Sequence, residues 1–251
     1  MSEVDASAFD LKPAVETDAA ALCVHGLTGT PYEVRPLAEA LVQRGIRARG
    51  PVLPGHDSTP EELARTSFVQ WVEAVEAEFR RLRSEHAQVF LVGLSLGGLL
   101  CLELASREPV DALAVVGTPL ALRKPIPQLV GVFKRFLKML DKSQGSDIRD
   151  PAARERQPGY KRMPLDSVHE LVRLQRKVRP ALQAIRAPTL VAHGRLDRTA
   201  NPADAGRIYR SLGSREKELY YCEASGHVVT VDWDGEALAH RVADFMSAHI
   251  S

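Results

Sequence analysis

Residues 89–100, which read VFLVGLSLGGLL, place the strongest constraint on how this chain can fold. An apolar run typical of a buried strand ends in Gly93-Leu94-Ser95-Leu96-Gly97, and a helix-forming run follows. A serine between two glycines at a strand-to-helix junction predicts a sharp, strained turn, in which residues without side chains prevent collisions. Ser95 is therefore a candidate nucleophile, and the alternative is a turn residue without a chemical role.

Strand patterns alternate with amphipathic helix patterns along most of the chain, and no internal repeat interrupts them. Such alternation favours a mostly parallel sheet with helices on both faces, so the sequence predicts one α/β domain over residues 1–251. The predicted strands cover residues 19–24, 88–93, 110–120, 187–194 and 217–224, and the predicted helices after residue 30 include 68–82, 96–107, 202–212 and 234–250.

Two segments depart from this alternation. Residues 119–186 contain two helical patterns and a polar loop but no convincing strand, and they lie between two predicted sheet strands. An insertion at that place is expected to form a cap over the carboxyl ends of the strands. Residues 1–17 are expected to form a loose N-terminal arm.

Composition excludes several classes of partner. The chain has 33 basic and 32 acidic residues, which does not indicate binding to nucleic acid or to an anionic membrane. No apolar run reaches the ~20 residues of a transmembrane helix, and no secretion signal is visible. The odd number of cysteines, Cys23, Cys101 and Cys222, is typical of reduced core residues in a cytoplasmic protein. No ligand cluster indicates a metal or an organic cofactor, and nothing indicates an oligomeric state.

A seryl hydroxyl needs a general base, and the base needs an orienting carboxylate. In chain order a nucleophile on this kind of turn is followed by the acid and then by the histidine. His227 lies in a Ser-Gly-flanked loop directly after the last predicted strand, whereas His240 and His249 lie within the final helix. His227 is therefore the candidate base.

Asp197 is the candidate acid because it follows the strand predicted at residues 187–194. Thirty residues separate it from His227, which leaves room for one helix and one strand and brings both residues to the same sheet edge. The alternative role for Asp197 is a turn or helix-entry residue. The other carboxylates are placed less well, at a strand start, in the insertion, in a helix or after the base: Asp111, Asp147, Asp150, Asp166, Asp204 and Asp232.

An oxyanion hole needs two N–H donors, and the sequence offers two backbone candidates. One is Leu96, directly after the nucleophile, and the other is Leu27, in the HGLTG loop after the first strand. Histidines beside glycines are more often structural than catalytic. His25, His56 and His193 are accordingly expected to form hydrogen bonds with the backbone.

With these residues in place, the chain resembles the α/β-hydrolase superfamily, and within it the small bacterial carboxylesterases and monoacylglycerol lipases. The matching stretches run from Leu22 to Asp232: LCVHGLTGTPYEVRPLAEAL, PVLPGHDSTPEEL, VGLSLGGLL, APTLVAHGRLDRTANPADA and SGHVVTVD. The resemblance implies an α/β-hydrolase fold with a small helical cap. It also implies Ser95, Asp197 and His227 as the triad and Leu27 and Leu96 as the oxyanion donors.

Residues 119–140 carry no carboxylate, whereas monoacylglycerol lipases use a partly acidic cap surface to recognise glycerol. This contrast favours a carboxylesterase. The single Gly26 before the bulky Leu27 suggests a narrow acyl pocket and therefore short- to medium-chain acyl esters. A monoacylglycerol lipase, or a thioesterase or acyltransferase with the same triad, remains the alternative; an epoxide hydrolase or dehalogenase would need Asp at position 95. An apolar stripe in this segment either anchors the cap or lines an acyl pocket, and its candidate pocket residues are Ile126, Leu129, Val130, Phe133 and Leu137.

Overall fold

The computed structural model of the protein describes residues 4–15, 17–122, 130–131, 134, 137–141 and 145–250. The strands within these residues are β1 Phe9–Leu11, β2 Ala19–Val24, β3 Arg47–Gly50, β4 Gln88–Leu94, β5 Leu113–Val116, β6 Met139–Asp141, β7 Arg162–Pro164, β8 Thr189–Gly194 and β9 Lys217–Cys222. Seven of them form one sheet in the spatial order β1-β3-β2-β4-β5-β8-β9. All neighbours in this sheet are parallel except β1 and β3. The predicted mostly parallel α/β sheet is thus confirmed.

Helices cover both faces of the sheet. The α-helices whose bounds lie within the described residues are α1 Arg35–Val42, α2 Pro60–Leu63, α3 Phe68–Glu85, α4 Leu96–Ala105, α5 Pro151–Arg156, α6 Leu165–Ala181, α7 Ala203–Ser211 and α8 Gly235–Ser247. Short 3-10 helices form at Pro31–Val34, Leu182–Ala184 and Val229–Val231. The core on one face contains residues of α3, α4, α6 and α7, and the core on the other contains residues of α1 and α8. None of the described helices is both long and apolar enough to cross a bilayer.

The central strands are apolar on both sides because each side faces a core. In β2, Leu22 and Val24 pack in the core with α3 and α4, whereas Ala21 and Cys23 pack in the core with α1 and α8. Every residue of β2 is buried. Strands buried on both faces read as continuous apolar runs, which is why these strands could be located in the sequence.

Helix α3 begins where its sequence predicts. The Ser67 hydroxyl accepts a hydrogen bond from the Gln70 N–H, and the Gln70 side chain accepts one from the Ser67 N–H. This capping box satisfies two N–H groups that the first helical turn leaves without partners. Trp71, Val75 and Phe79 on the apolar stripe of the helix are buried against the sheet.

The N-terminal segment differs from the expected loose arm. Phe9–Leu11 adds an antiparallel edge strand to β3, and the Phe9 side chain is only 7% exposed. The ring lies over Gly50, where a Cβ would come within 2.3 Å of it. The Asp10 carboxylate accepts hydrogen bonds from Arg47 and Arg49 on the same side of the sheet. The packing of Phe9 over Gly50 and the ion pairs of Asp10 therefore hold this segment against β3.

Residues 119–186, called the insert from here on, also differ from expectation in one respect. The insert contains the antiparallel pair β6 and β7, with Leu140 opposite Met163, where no strand was expected. Strands of three residues are too short for apolar alternation to reveal them. Helix α6 matches one of the predicted helical patterns, and its residues Leu171, Leu174 and Val178 join the main core.

Candidate active site

Ser95 occupies the sharp turn between β4 and α4. Its φ is 54° and its ψ is −113°, a left-handed conformation that is strained for a residue with a side chain. The Ser95 N–H donates to the Val116 carbonyl at 2.8 Å, which ties the turn to the neighbouring strand. The backbone therefore holds the hydroxyl at the carboxyl edge of the sheet.

The elbow glycines, Gly93 and Gly97, allow β4, α4 and β2 to approach one another closely. A Cβ on Gly93 would lie 2.5 Å from the backbone of Gly97, and a Cβ on Gly97 would lie 2.0 Å from the Val24 carbonyl oxygen. Such distances are far inside van der Waals contact. Side chains at these positions would force the helix away from the sheet and displace Ser95.

His227 contacts both other candidate triad residues. Its Nε2 lies 2.9 Å from the Ser95 Oγ, and its Nδ1 lies 2.8 Å from the Asp197 Oδ2. Since a carboxylate only accepts hydrogen bonds, Nδ1 carries the proton and Nε2 is left to accept from the serine hydroxyl. This tautomer is the one that a general base needs.

Asp197 follows β8, and four N–H groups surround its carboxylate. Oδ1 accepts from the backbone N–H groups of Thr199 and Ala200 at 2.8 Å and 2.7 Å. Oδ2 contacts both His227 and His193 at 2.8 Å. Burial by itself raises the pKa of Asp197, but the two histidines more than offset it and hold the pKa well below its usual range. The carboxylate is thus ionised near neutral pH.

The carboxylates around His227 set its proton affinity. Burial disfavours the imidazolium, yet Asp197 above all, followed by Asp147 and Glu33, raises the pKa of His227 above its ordinary value. A protonated His227 is therefore stabilised inside the site. This favours proton uptake during a reaction and implies that the base becomes protonated in mildly acidic solution.

The loop that carries His227 is hydrogen-bonded to residues 147–150 of the insert. The His227 N–H donates to the Asp147 carbonyl at 2.8 Å. The Asp232 carboxylate accepts from the N–H groups of Gly226, Arg149 and Asp150. Asp232 was one of the competing carboxylates, and in the structure it braces the loop instead of contacting the imidazole.

The two candidate oxyanion donors belong to two different segments, the start of α4 and the loop after β2. Leu96 is the first residue of α4, where N–H groups have no partner within the helix. Leu27 lines the same cavity as Ser95, and the preceding Gly26 N–H donates to the Glu33 carboxylate at 3.1 Å. That carboxylate fills the space beside Gly29, where a Cβ would lie 2.2 Å from it. Glu33, which the sequence analysis did not single out, therefore supports the loop that presents Leu27.

A cavity of about 520 Å³ opens from Ser95 into the insert. Its polar end contains Ser95, His227, Glu33, Asp147 and Thr199. Its apolar wall is formed by side chains of the insert: Leu122, Val130, Leu137, Leu140, Met163, Leu165, Val168 and Leu171. The volume falls in the range of small-molecule sites, and the division into a polar and an apolar end suits a molecule with a hydrocarbon part.

The candidate pocket residues of the insert are only partly within the described chain. Val130 and Leu137 line the cavity. Ile126, Leu129 and Phe133 lie outside the described residues. The expected apolar contribution of the insert is therefore visible at two of the five positions.

Three other histidines, for which backbone hydrogen bonds were expected, have partners that only partly match that expectation. The ring of His25 lies beside the Gly26 carbonyl and accepts from the Leu53 N–H, and His56 contacts the Pro54 carbonyl, as expected of structural residues. Burial lowers the pKa of His25 to about 3. For His193 the expectation of a backbone partner was wrong, because its ring contacts Asp197. The sequence feature that could have indicated this contact is that His193 lies four residues before Asp197.

Potential metal ligands do not cluster in the described part of the chain, where no group of three or more His, Cys, Asp or Glu residues could hold an ion. Cys23, Cys101 and Cys222 are buried free thiols.

The parallel sheet, the strained serine turn and the Ser–His–Asp contacts at the strand ends define an α/β-hydrolase with a serine at the nucleophile position. The chain belongs to the serine aminopeptidase S33 family, whose sequence model matches residues 15–234.

Individual relatives agree with this assignment. A thermostable monoacylglycerol lipase from Bacillus sp. (strain H-257) is 34% identical over 234 residues, which cover 91% of this chain and 90% of that protein. A carboxylesterase from Bacillus subtilis (strain 168) is 29% identical over 230 residues, with 91% and 92% coverage. A solved structure reported for the metagenome-derived lipolytic enzymes LipS and LipT superposes with a TM-score of 0.89 at 28% identity, over 97% of this chain and 98% of that one.

Proposed function

We propose that this protein is a carboxylic-ester hydrolase that acts through an acyl-enzyme on Ser95. The observation that carries the proposal is the continuous contact from the Ser95 Oγ through His227 to Asp197, located at the polar end of a largely apolar cavity. Its substrates are small-molecule esters, and the family, the monoacylglycerol lipase relative and the carboxylesterase relative support this class of chemistry.

In the first half of the reaction, His227 Nε2 takes the Ser95 proton while Oγ attacks the ester carbonyl carbon. The carbonyl π electrons move to oxygen, and the N–H groups of Leu27 and Leu96 stabilise the resulting oxyanion. Asp197 stabilises the imidazolium through Nδ1. When the tetrahedral intermediate collapses, the bond to the alcohol oxygen breaks, and His227 gives its proton to that oxygen.

In the second half, water attacks the acyl-enzyme carbonyl and His227 takes a proton from it. Collapse of the second intermediate breaks the bond to Ser95 Oγ and releases the carboxylic acid. His227 then returns the proton to Oγ. The same two N–H donors serve both oxyanions.

The proposal includes a preference for short- to medium-chain acyl groups. A single glycine, Gly26, precedes the bulky Leu27 in the oxyanion loop, which leaves less width than a loop with several glycines. Residues 119–186 serve as the cap in this proposal, with Val130 and Leu137 against the acyl chain. A cytoplasmic location is also part of it, and the three buried thiols support that location.

A p-nitrophenyl ester series from acetate to palmitate, combined with fluorophosphonate labelling, tests the proposal directly. We expect Ser95-dependent labelling and a maximum of kcat/KM at or below medium chain length. Absence of labelling would refute the serine mechanism, and a maximum at palmitate would refute the chain-length preference. Faster turnover of acyl-CoA than of the matching p-nitrophenyl ester would instead identify a thioesterase or acyltransferase.

Monoacylglycerol lipase is the second candidate function, and one observation favours it. The Glu33 carboxylate lies in the cavity and accepts a hydrogen bond from the Gln157 side chain of the insert at 2.7 Å. In this proposal the Glu33 carboxylate binds a hydroxyl of a glycerol leaving group, and Gln157, which does not itself line the cavity, orients that carboxylate. The acidic group comes from the loop after β2, so an insert without a carboxylate at residues 119–140 does not exclude glycerol recognition.

The variant Gln157→Leu separates the two functions. For a monoacylglycerol lipase, KM for a monoacylglycerol should rise about tenfold, which corresponds to about 1.4 kcal/mol of lost binding, while KM for the ethyl ester of the same acid stays constant. The variant Gln157→Glu keeps the size of the side chain but replaces the amide donor with a carboxylate that faces Glu33, so it should raise KM for the monoacylglycerol as well. Equal effects on both substrates would remove the structural support for a glycerol-specific enzyme.

A further inference from the structure

His193 makes a contact that the reaction as described does not use. It lies one residue before the end of β8, and its side chain is completely buried. Its Nε2 is 2.8 Å from the Asp197 Oδ2, the same oxygen that receives the His227 Nδ1 proton. Two imidazole rings therefore share one carboxylate oxygen.

The chemistry of the carboxylate fixes the protonation of this ring. Asp197 is ionised and can only accept, so His193 donates from Nε2. The other ring nitrogen, Nδ1, is buried and has no hydrogen-bond partner among the described residues. A proton on Nδ1 would be a buried donor without an acceptor, which is unfavourable. His193 is therefore neutral, with its single ring proton directed at Asp197.

Packing alone does not explain a histidine at this position. Every residue of β8 is buried, and the strand otherwise consists of Thr189, Leu190, Val191, Ala192 and Gly194. An apolar side chain would fill the position without leaving a buried nitrogen unpartnered. Among the residues that the structure describes, the polar interaction that this ring makes is with the acid of the candidate triad.

A neutral donor suits this site better than a cation. During the reaction His227 becomes an imidazolium, and Asp197 must compensate its charge. A second cation at position 193 would compete for the same carboxylate. A neutral N–H instead holds Oδ2 in place while the carboxylate keeps its negative charge available to His227.

We propose that His193 is a positioning residue for Asp197. Its Nε2–H holds Oδ2, while the N–H groups of Thr199 and Ala200 hold Oδ1, so the plane of the carboxylate is fixed at both ends. This orientation directs the His227 ring toward Ser95. The inference rests on the proposed function of the triad and extends it by one side chain.

Three substitutions test this role. In His193→Gln the amide nitrogen reaches the place of Nε2, because both atoms lie three bonds beyond Cβ. His193→Asn carries the same amide one methylene short, and His193→Leu removes the donor while keeping an apolar side chain. Each variant is assayed for kcat, KM and the rate of fluorophosphonate labelling, with thermal unfolding and circular dichroism as the checks on folding.

We expect the Leu and Asn variants to lose about tenfold or more in kcat and labelling rate, with KM within twofold, because ground-state binding does not involve Asp197. The Gln variant should recover to within about threefold of the wild type. A folded Leu variant with wild-type kcat, or a folded Gln variant as impaired as Leu, would overturn the proposal.

A measurement on the unmutated protein remains decisive even if the variants do not fold. The ¹⁵N shifts of the His193 ring at pH 7 should show a neutral imidazole with its proton on Nε2. A proton on Nδ1, or on both nitrogens, would overturn the proposal. Failure of the proposed function is distinguished by the wild type itself, which would then neither label nor hydrolyse any ester.

Discussion

Replacing Asp197 by asparagine tests the arrangement of the whole site, because an amide cannot satisfy the contacts of a carboxylate. All four groups around the side chain are N–H donors in the structure, two from the backbone and two from histidines. In Asp197→Asn the amide oxygen can replace Oδ1 and accept from Thr199 and Ala200. The amide NH₂ then faces His193 and His227 and requires acceptors from them.

The consequence for His227 is a change of tautomer. If Nδ1 accepts from the amide, the ring proton moves to Nε2, and Nε2 now donates to Ser95 instead of accepting from it. Loss of the base in this way is expected to lower kcat by about 10⁴-fold, or about 5.5 kcal/mol at about 1.36 kcal/mol per factor of ten. KM should change little, since Asp197 does not line the cavity.

The assay is steady-state hydrolysis of a short p-nitrophenyl ester, and Asp147→Asn is the matched control. Asp147 also lies beside His227, but it holds the His227 N–H through its backbone carbonyl, which the substitution leaves in place. The amide oxygen of the control can still accept from Arg198, as Oδ2 does now. We expect the control to retain kcat within about threefold. A folded Asp197→Asn enzyme with more than a tenth of wild-type kcat would refute the reasoning.

Three further outcomes follow from the geometry. Ser95→Ala should abolish fluorophosphonate labelling and leave only the residual catalysis of the oxyanion hole, about 10³–10⁴-fold over water; a labelled variant would contradict the assignment. Because the pKa of His227 is raised, the midpoint of the acid limb of kcat/KM should lie above the ordinary histidine pKa of about 6.5, and activity should be lost as the pH falls through that midpoint. A midpoint below about 6 in the pH–rate profile would contradict this. Gly97→Ala should lower the free energy of unfolding measured in urea by about 1–3 kcal/mol, because its Cβ would meet the Val24 carbonyl. The control Gly206→Ala in α7, where the added Cβ would meet side-chain ends and not backbone, should be neutral or stabilising. Equal effects of the two substitutions would refute the packing argument.

Local patterns in the sequence were sufficient to locate the candidate triad. The strands before Ser95, Asp197 and His227 are recognisable because both faces are buried, and parallel strands bring their carboxyl ends to one edge. The elbow glycines are recognisable because their spacing around the serine is typical of a strand-to-helix nucleophile turn, although Gly97 also needs its small size for the close approach to Val24 in β2. Short-range rules therefore predicted which residues would meet, and the contacts at 2.8 Å and 2.9 Å are where those rules place them.

Other features depend on contacts between residues that are distant in the chain or on the orientation of a side chain. The edge strand at Phe9 needs a partner about 40 residues later and a glycine beneath its ring, neither of which the local sequence reveals. The supporting role of Glu33 requires a loop that brings its carboxylate back to the Gly26 N–H, seven residues earlier, and a second partner, Gln157, from the insert.

Sequence alone thus predicted the five strands β2, β4, β5, β8 and β9, and the three residues that meet in the candidate triad. The tertiary structure decided what surrounds those residues: the second imidazole on Asp197, the Glu33 carboxylate hydrogen-bonded to the loop that carries Leu27, and the apolar wall of the cavity. The physical reason is the range of the interactions. Hydrophobic periodicity and turn geometry depend on residues that are close in the sequence. The hydrogen-bond partner of a buried side chain often comes from a distant part of the chain, so it is known only from the folded structure.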